Sequence, residues 1–162
     1  MNRMKFFICL IVFFSNNLFS QQEYPVAIGG ASGVFVDITN SSGSYIIERT
    51  ETSAENWIEV SNTTNPLSEV EFAGRLTVLS PQFSDFVVPA EKQITQIWNI
   101  WQRTNRVDSI PYWGNIPFVK IALGTMHFDA TAKLNTEYQY RISNAENVQQ
   151  KEFTNSVYYP RV

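Results

Sequence analysis

His127 is the only histidine in this 162-residue chain, so any Ser-His-Asp hydrolysis would have to use it. Such chemistry on an α/β scaffold places its serine in a Gly-x-Ser-x-Gly elbow, and none occurs. Gly30-Ala31-Ser32-Gly33 is one residue short of it. His127 beside Phe128 reads instead as a histidine at the edge of a strand. The glycines of Gly29-Gly30-Ala31-Ser32-Gly33 could cradle phosphate, but no Lys-Ser or Lys-Thr follows, and the next residues are strand-like. The segment is expected to be a flexible turn. Glu69 with Glu71, or Glu48 with Glu51, could supply the two carboxylates of a glycosidase. Each pair lies in a polar stretch of the solvated kind, and Glu71 fits a helix cap. Calcium needs clustered oxygen ligands, whereas Asp37, Asp85, Asp108 and Asp129 stand isolated. No cofactor and no enzyme activity are expected.

Flat aromatics are the remaining chemistry-bearing residues. Trp98 and Trp101 share a stripe with Ile94 and Ile97 at helical spacing, so they are expected to seat a helix on the rest of the fold. Tyr112-Trp113-Gly114 lies in a loop flanked by Pro111 and Pro117. Rings presented there could stack on a sugar or a partner chain, which makes Tyr112 and Trp113 the ligand-binding candidates.

The first twenty residues have the layout of a secretory leader. Arg3 and Lys5 precede an apolar run from Phe6 to Phe14, polar residues break it, and Ser20 offers a cleavage point. The run is shorter than the roughly 20 apolar residues a membrane-spanning helix needs. Residues 1–20 are therefore expected to be removed, leaving a domain over 21–162 that is secreted or held at the cell surface. Cys9 is the one cysteine and would leave with the leader. Without Arg3 and Lys5 the 12 basic residues fall to 10 against 15 acidic ones, a net charge of −5. Nucleic acid and anionic membrane are excluded as expected partners, because both need concentrated Lys and Arg.

The elements that must hold these residues are mostly strands. Val26 and Ile28 alternate, then Val34, Val36 and Ile38. Tyr45–Thr50 and Trp57–Val60 are strand-like, with turns at Asn40–Gly43 and Ser53–Asn56. Two glycosylation-like triplets, Asn40-Ser41-Ser42 and Asn62-Thr63-Thr64, are also read as turns. Strict alternation over Tyr138, Tyr140 and Ile142 marks a half-buried strand, and one more is expected over 152–159, with Phe153, Val157 and Tyr159 on one side. Between these flanks the pattern turns helical. Ser68 and Glu71 form a capping box ahead of Phe72, Leu76 and Leu79. Pro89 suits the first position of a helix running to about Asn105. Residues 117–123 form a third short helix or a strand. The chain is thus expected to be mainly β, with a helical insertion at about 66–125.

The flanks resemble the fibronectin type III family. Tyr45-Ile46-Ile47-Glu48-Arg49-Thr50 is similar to the third strand of such domains, and Asn56-Trp57-Ile58-Glu59-Val60 to the strand after it. Phe128-Asp129 and Leu134–Ile142 resemble the segment leading into the penultimate strand, with Tyr138 at the family's corner tyrosine. The family's tryptophan of the second strand is replaced by Val36 or Ile38, and its turn glycine by Asn135. The resemblance implies an immunoglobulin-like β-sandwich with Trp57 and Tyr138 in structural roles; alternation gives Tyr140, and helical spacing gives Trp98 and Trp101, structural roles as well. The resemblance also implies a non-catalytic module that contacts protein or glycan at the cell surface. The alternative is a carbohydrate-binding module using the aromatics of the insertion.

Overall fold

The computed structural model describes residues 25–159, apart from 31 and 40–42. The expected leader and the turn over Asn40–Ser42 lie outside the described residues. Strand β1 (Val26–Gly29) turns into β2 (Val34–Asp37), followed by β3 (Ser44–Glu51) and β4 (Ile58–Thr64). Helices α1 (Glu69–Leu79), α2 (Glu91–Thr104) and α3 (Pro117–Ala122) come next, with one 3₁₀ turn between the first two and two between the last two. Strands β5 (Met126–Asp129), β6 (Thr136–Asn144), β7 (Asn147–Phe153) and β8 (Val157–Tyr159) complete the described chain. The protein is mainly β: one antiparallel sheet has the order β1-β2-β5, and a five-stranded one runs β4-β3-β6-β7, with β8 also on β6.

The pleat of β2 explains the layering. Alternate residues of a strand point to opposite faces. Val34 and Val36 are fully buried and meet Ile47, Tyr138, Tyr140 and Ile142 of the second sheet in one core. Phe35, between them, packs into a different core built by the helices. The register sets Phe35 opposite Phe128, and the two rings lie 4.8 Å apart on that helical side. The three-stranded sheet is therefore a middle layer, covered by sheet on one face and helix on the other. That is why β2 is apolar at every position but its last. Each fully buried apolar side chain of this kind contributes roughly 1.5–3 kcal/mol.

The first two helices form where the sequence predicts them, with three adjustments, and the segment left open between helix and strand is helical. Ser68 caps α1 by accepting from the Glu71 N–H, but the Glu71 carboxylate turns back to the Leu67 N–H, one residue earlier than a capping box requires. Pro89 stands before the cap residue Ala90 and not inside α2. The stripe of Ile97, Trp98 and Trp101 is buried, but against Phe72, Leu76 and Phe118 of the neighbouring helices and not on a sheet. The helical segment is long enough to own a core, so α2 seats on α1 and the Val107–Ser109 turn, in one cluster with α3, rather than on the strands. Pro117 opens α3 and Gly124 ends it at φ +74°, where a Cβ would stand 2.3 Å from the Thr64 carbonyl oxygen.

The tail is two strands, not one. β7 pairs with the upper half of β6 and β8 with the lower half. In the gap, Thr154 exchanges hydrogen bonds with the Tyr140 backbone, and the Asn155 amide bonds both the N–H and the C=O of Ala27 in the other sheet. The break flips the facing of the chain, so Val157 and Tyr159 are buried while Phe153 is exposed. Asn62-Thr63-Thr64 is the end of β4 and not a turn.

Candidate functional site

The α2 helix is amphipathic, and its buried stripe fixes which residues its opposite edge presents. Asn105 ends it in the left-handed conformation at φ 50°, which sends the chain back along the helix. Over 107–116 the backbone coils tightly: Ile110 N–H donates to the Val107 carbonyl, and Gly114 N–H to the Ile110 carbonyl, both at 3.0 Å. Only glycine fits at 114, because a Cβ would stand 2.1 Å from the Val107 oxygen. This coil pins Ile110 and Trp113 beside α2.

Between coil and helix lies an open groove of about 770 Å³. Gln96, Asn99, Gln102 and Arg103 line it from α2, with Ile97 and Ile100 at the base and Ile110, Pro111 and Trp113 opposite. The volume is in the range of small-molecule sites. Trp113 is half-buried with its inner part on the helical core, and Tyr112 meets it edge-on at 4.9 Å. Tyr112 itself is 63% exposed and does not line the groove. Its backbone, at φ 60° and ψ −59°, is the centre of a γ-turn closed by Trp113 N–H on the Pro111 carbonyl at 2.7 Å. A non-glycine residue of this hand is strained by about 1–3 kcal/mol.

The other residues singled out by sequence fall elsewhere. Tyr138 is buried at the start of β6, and its hydroxyl accepts from the Lys133 N–H at 2.9 Å, the bond back to the preceding turn that its position predicts. Asn135 holds that turn at φ 58°. Trp57 lies just before β4 on the outer face of the larger sheet, edge-on to Phe153 at 5.8 Å and under the Arg141 guanidinium at 4.4 Å. Trp98 and Trp101 are core residues of the helical layer. His127 sits on edge strand β5 opposite Val36. Its Nε2 is buried without a partner among the described residues, and burial lowers its pKa.

The carboxylates are engaged in structure. Glu48 accepts two bonds from Arg141, both at 2.6 Å, which hold its pKa below the ordinary value despite some burial. Glu69 accepts from Thr95 on α2, and Glu71 from Arg75. Among the described residues no three of His, Cys, Asp and Glu cluster as a metal site, and no helix is long and apolar enough to cross a membrane.

Two carboxylates that look isolated in sequence are the most deeply placed. Asp129, 2% exposed, receives Arg49 at 2.5 Å, the Tyr140 hydroxyl at 2.9 Å and both the hydroxyl and N–H of Thr131. Burial alone would raise its pKa; these donors and the Arg49 charge outweigh that and lower it. Tyr140 is correspondingly driven upward, first by burial and then by the Asp129 charge. Asp37 takes the Lys120 ammonium at 2.6 Å, with Thr39 bonded to both. Sequence inspection misses both pairs because their partners are 80 and 83 residues apart. Comparison of the chain with protein-family models, curated proteins and solved structures finds no match.

Proposed function

We propose that this chain is an exported, non-catalytic β-sandwich of the fibronectin type III kind that makes protein contacts at the cell surface. The partition of its strands carries the reading. Strands β1, β2 and β5 share one sheet, while β3, β6 and β7 share the other. In immunoglobulin-like sandwiches the first, second and fifth strands likewise oppose the third and the last two. Here β4 lies beside β3, as the added strand does in the variable-type arrangement. The corner bond of Tyr138 adds a second point of support. Export rests on the leader pattern of residues 1–20. The helical layer between β4 and β5 supplies surface that such a sandwich lacks.

The reading is tested in a cell that exports the chain, with a proximity-labelling enzyme fused to its C-terminus. Labelling of envelope and surface proteins is expected, together with a mature N-terminus near Gln21. Labels confined to cytoplasmic proteins, or a chain that keeps Met1, would overturn the exported reading.

A further inference from the structure

We propose that the groove between α2 and the 107–116 coil is a glycan-binding site, with Trp113 as the ring platform and Gln96, Asn99 and Arg103 as the hydroxyl readers. The inference rests on the helical layer alone and does not need the sandwich assignment.

Side-chain chemistry selects the ligand class. A carboxamide carries a donor and an acceptor in one fork, as each sugar hydroxyl does in one atom. Gln96 and Asn99 are three apart on α2 and Arg103 four further on, so they stand in a row on one helix edge. At 1.5 Å per residue the row is about 10 Å long, longer than a single sugar ring. None of these three side chains has a hydrogen bond or ion pair among the described residues, whereas the nearby Arg106 is taken up by Asp108 at 2.5 Å. The groove's polar groups are thus free for a ligand. Opposite the row, the half-buried Trp113 offers an apolar surface for the C–H face of a pyranose. No carboxylate lines the groove, so neither neutral nor acidic sugars are repelled. An amphipathic helix from a partner would want a continuous apolar trough, and here Gln96, Asn99, Gln102 and Arg103 interrupt Ile97 and Ile100 along the α2 wall.

The strain at Tyr112 is a second, separate observation. Strained non-glycine backbone persists where surroundings over-determine it, and it concentrates at ligand clamps. At this position the γ-turn brings the Tyr112 ring edge-on to Trp113. It sets the tilt of the platform without itself touching the groove, so Tyr112 is a positioning residue.

The test uses the whole chain on an array of immobilised oligomers of α- and β-linked hexoses, N-acetylhexosamines and uronic acids. Hits are then measured by titration calorimetry with soluble oligomers of the same class. Saturable binding of at least one class is expected. Gln96→Ala combined with Asn99→Ala alters exposed side chains only, so it should keep the melting temperature and lower affinity at least tenfold. Trp113→Ala should abolish detectable binding. Arg103→Gln should weaken uronate oligomers more than neutral ones. A blank array would overturn the groove assignment while leaving the strand-based reading intact. So would a glycan whose affinity is unchanged in the Gln96/Asn99 double variant. Loss of binding in Trp57→Ala alone would move the site to the outer sheet face and equally reject the groove.

Discussion

At the junction between the two sheets, Arg49 reaches from β3 to Asp129 on β5; at the junction between sheet and helices, Lys120 reaches from α3 to Asp37 on β2. Each junction thus pairs an apolar core with one buried ion pair. The pairs differ in how many donors their carboxylates receive. Asp129 collects donors from three residues beyond the backbone, and Arg49 also lies over the Tyr138 ring at 4.7 Å. Asp37 has Lys120 and Thr39. A buried pair offsets its desolvation only when its remaining hydrogen-bonding groups are met, and the Arg49 Nε is buried without a partner among the described residues. The sheet junction thus gathers its polar contacts on the Asp129 carboxylate, while the helical junction adds rings: Phe35, Phe83, Phe118 and Phe128 meet one another there.

The largest effect that follows is on Asp129. Asp129→Ala strands the Arg49 guanidinium and the Tyr140 hydroxyl in the core and should cost about 3–5 kcal/mol. Asp37→Ala should cost less, because Lys120 has a long stem that can move its head toward water. Urea midpoints of the two variants measure the difference. Equal losses would erase the distinction between the junctions.

Acid separates the contributions further. The folded pKa of Asp129 lies below its unfolded value, so the native state binds fewer protons. Its stabilisation is complete above about pH 4 and is lost as pH falls through the folded pKa. His127 is also depressed, because burial disfavours its charged form. Its stabilisation is present above about pH 6.5 and declines below that as the unfolded chain takes up the proton first. Denaturation midpoints plotted against pH should therefore show two limbs. His127→Gln should remove the upper limb and leave the lower one. A single limb in the parent chain would mean that His127 stays hydrated.

Tyr138→Phe comes next in size. It keeps the ring in the sheet core and under Arg49, and removes only the hydroxyl that serves the Lys133 N–H. The expected cost is about 1–2 kcal/mol, most of it the unmet donor. An unchanged midpoint would show that water replaces the hydroxyl at this corner.

How much of this was legible depended on range. The period-two run Tyr138-Tyr140-Ile142 fixed both its strand and its buried face, because alternation is a local signal. The stripe of Ile97, Trp98 and Trp101 showed a buried helix face for the same reason, but not what would cover it. Its cover, Phe72, Leu76 and Phe118, comes from two other helices. Phe153 was misplaced because a three-residue gap before Val157 resets the alternation, and that gap is held by Asn155 bonding to Ala27, 128 residues away. Gln96, Asn99 and Arg103 stand opposite the apolar stripe at helical spacing, which makes them a polar helix face. That they border a groove depends on the left-handed turn at Asn105, which returns the chain beside them.

Tyr112 and Asn135 sharpen the comparison at its smallest scale. Both have positive φ, 60° and 58°, one in the helical layer and one in the sheets. Asn tolerates the left-handed region through its short polar side chain, so the sheet turn is met by a residue suited to it. Tyr112 sits outside that region at ψ −59° and has no such accommodation. Replacing Tyr112 by Gly and by Ala removes the same ring contact with Trp113, so the two variants differ in backbone strain, set against the larger entropy that Gly gives the unfolded chain. Gly should be the more stable by about 1 kcal/mol or more. Asn135→Gly, by contrast, should change stability by only a few tenths of a kcal/mol, since little strain is relieved there. Thermal melts of the three variants decide it. Equal melting temperatures for the Gly and Ala variants at 112 would show that the γ-turn relaxes once the tyrosine is gone, and that the ring, not the coil around it, holds the strained conformation.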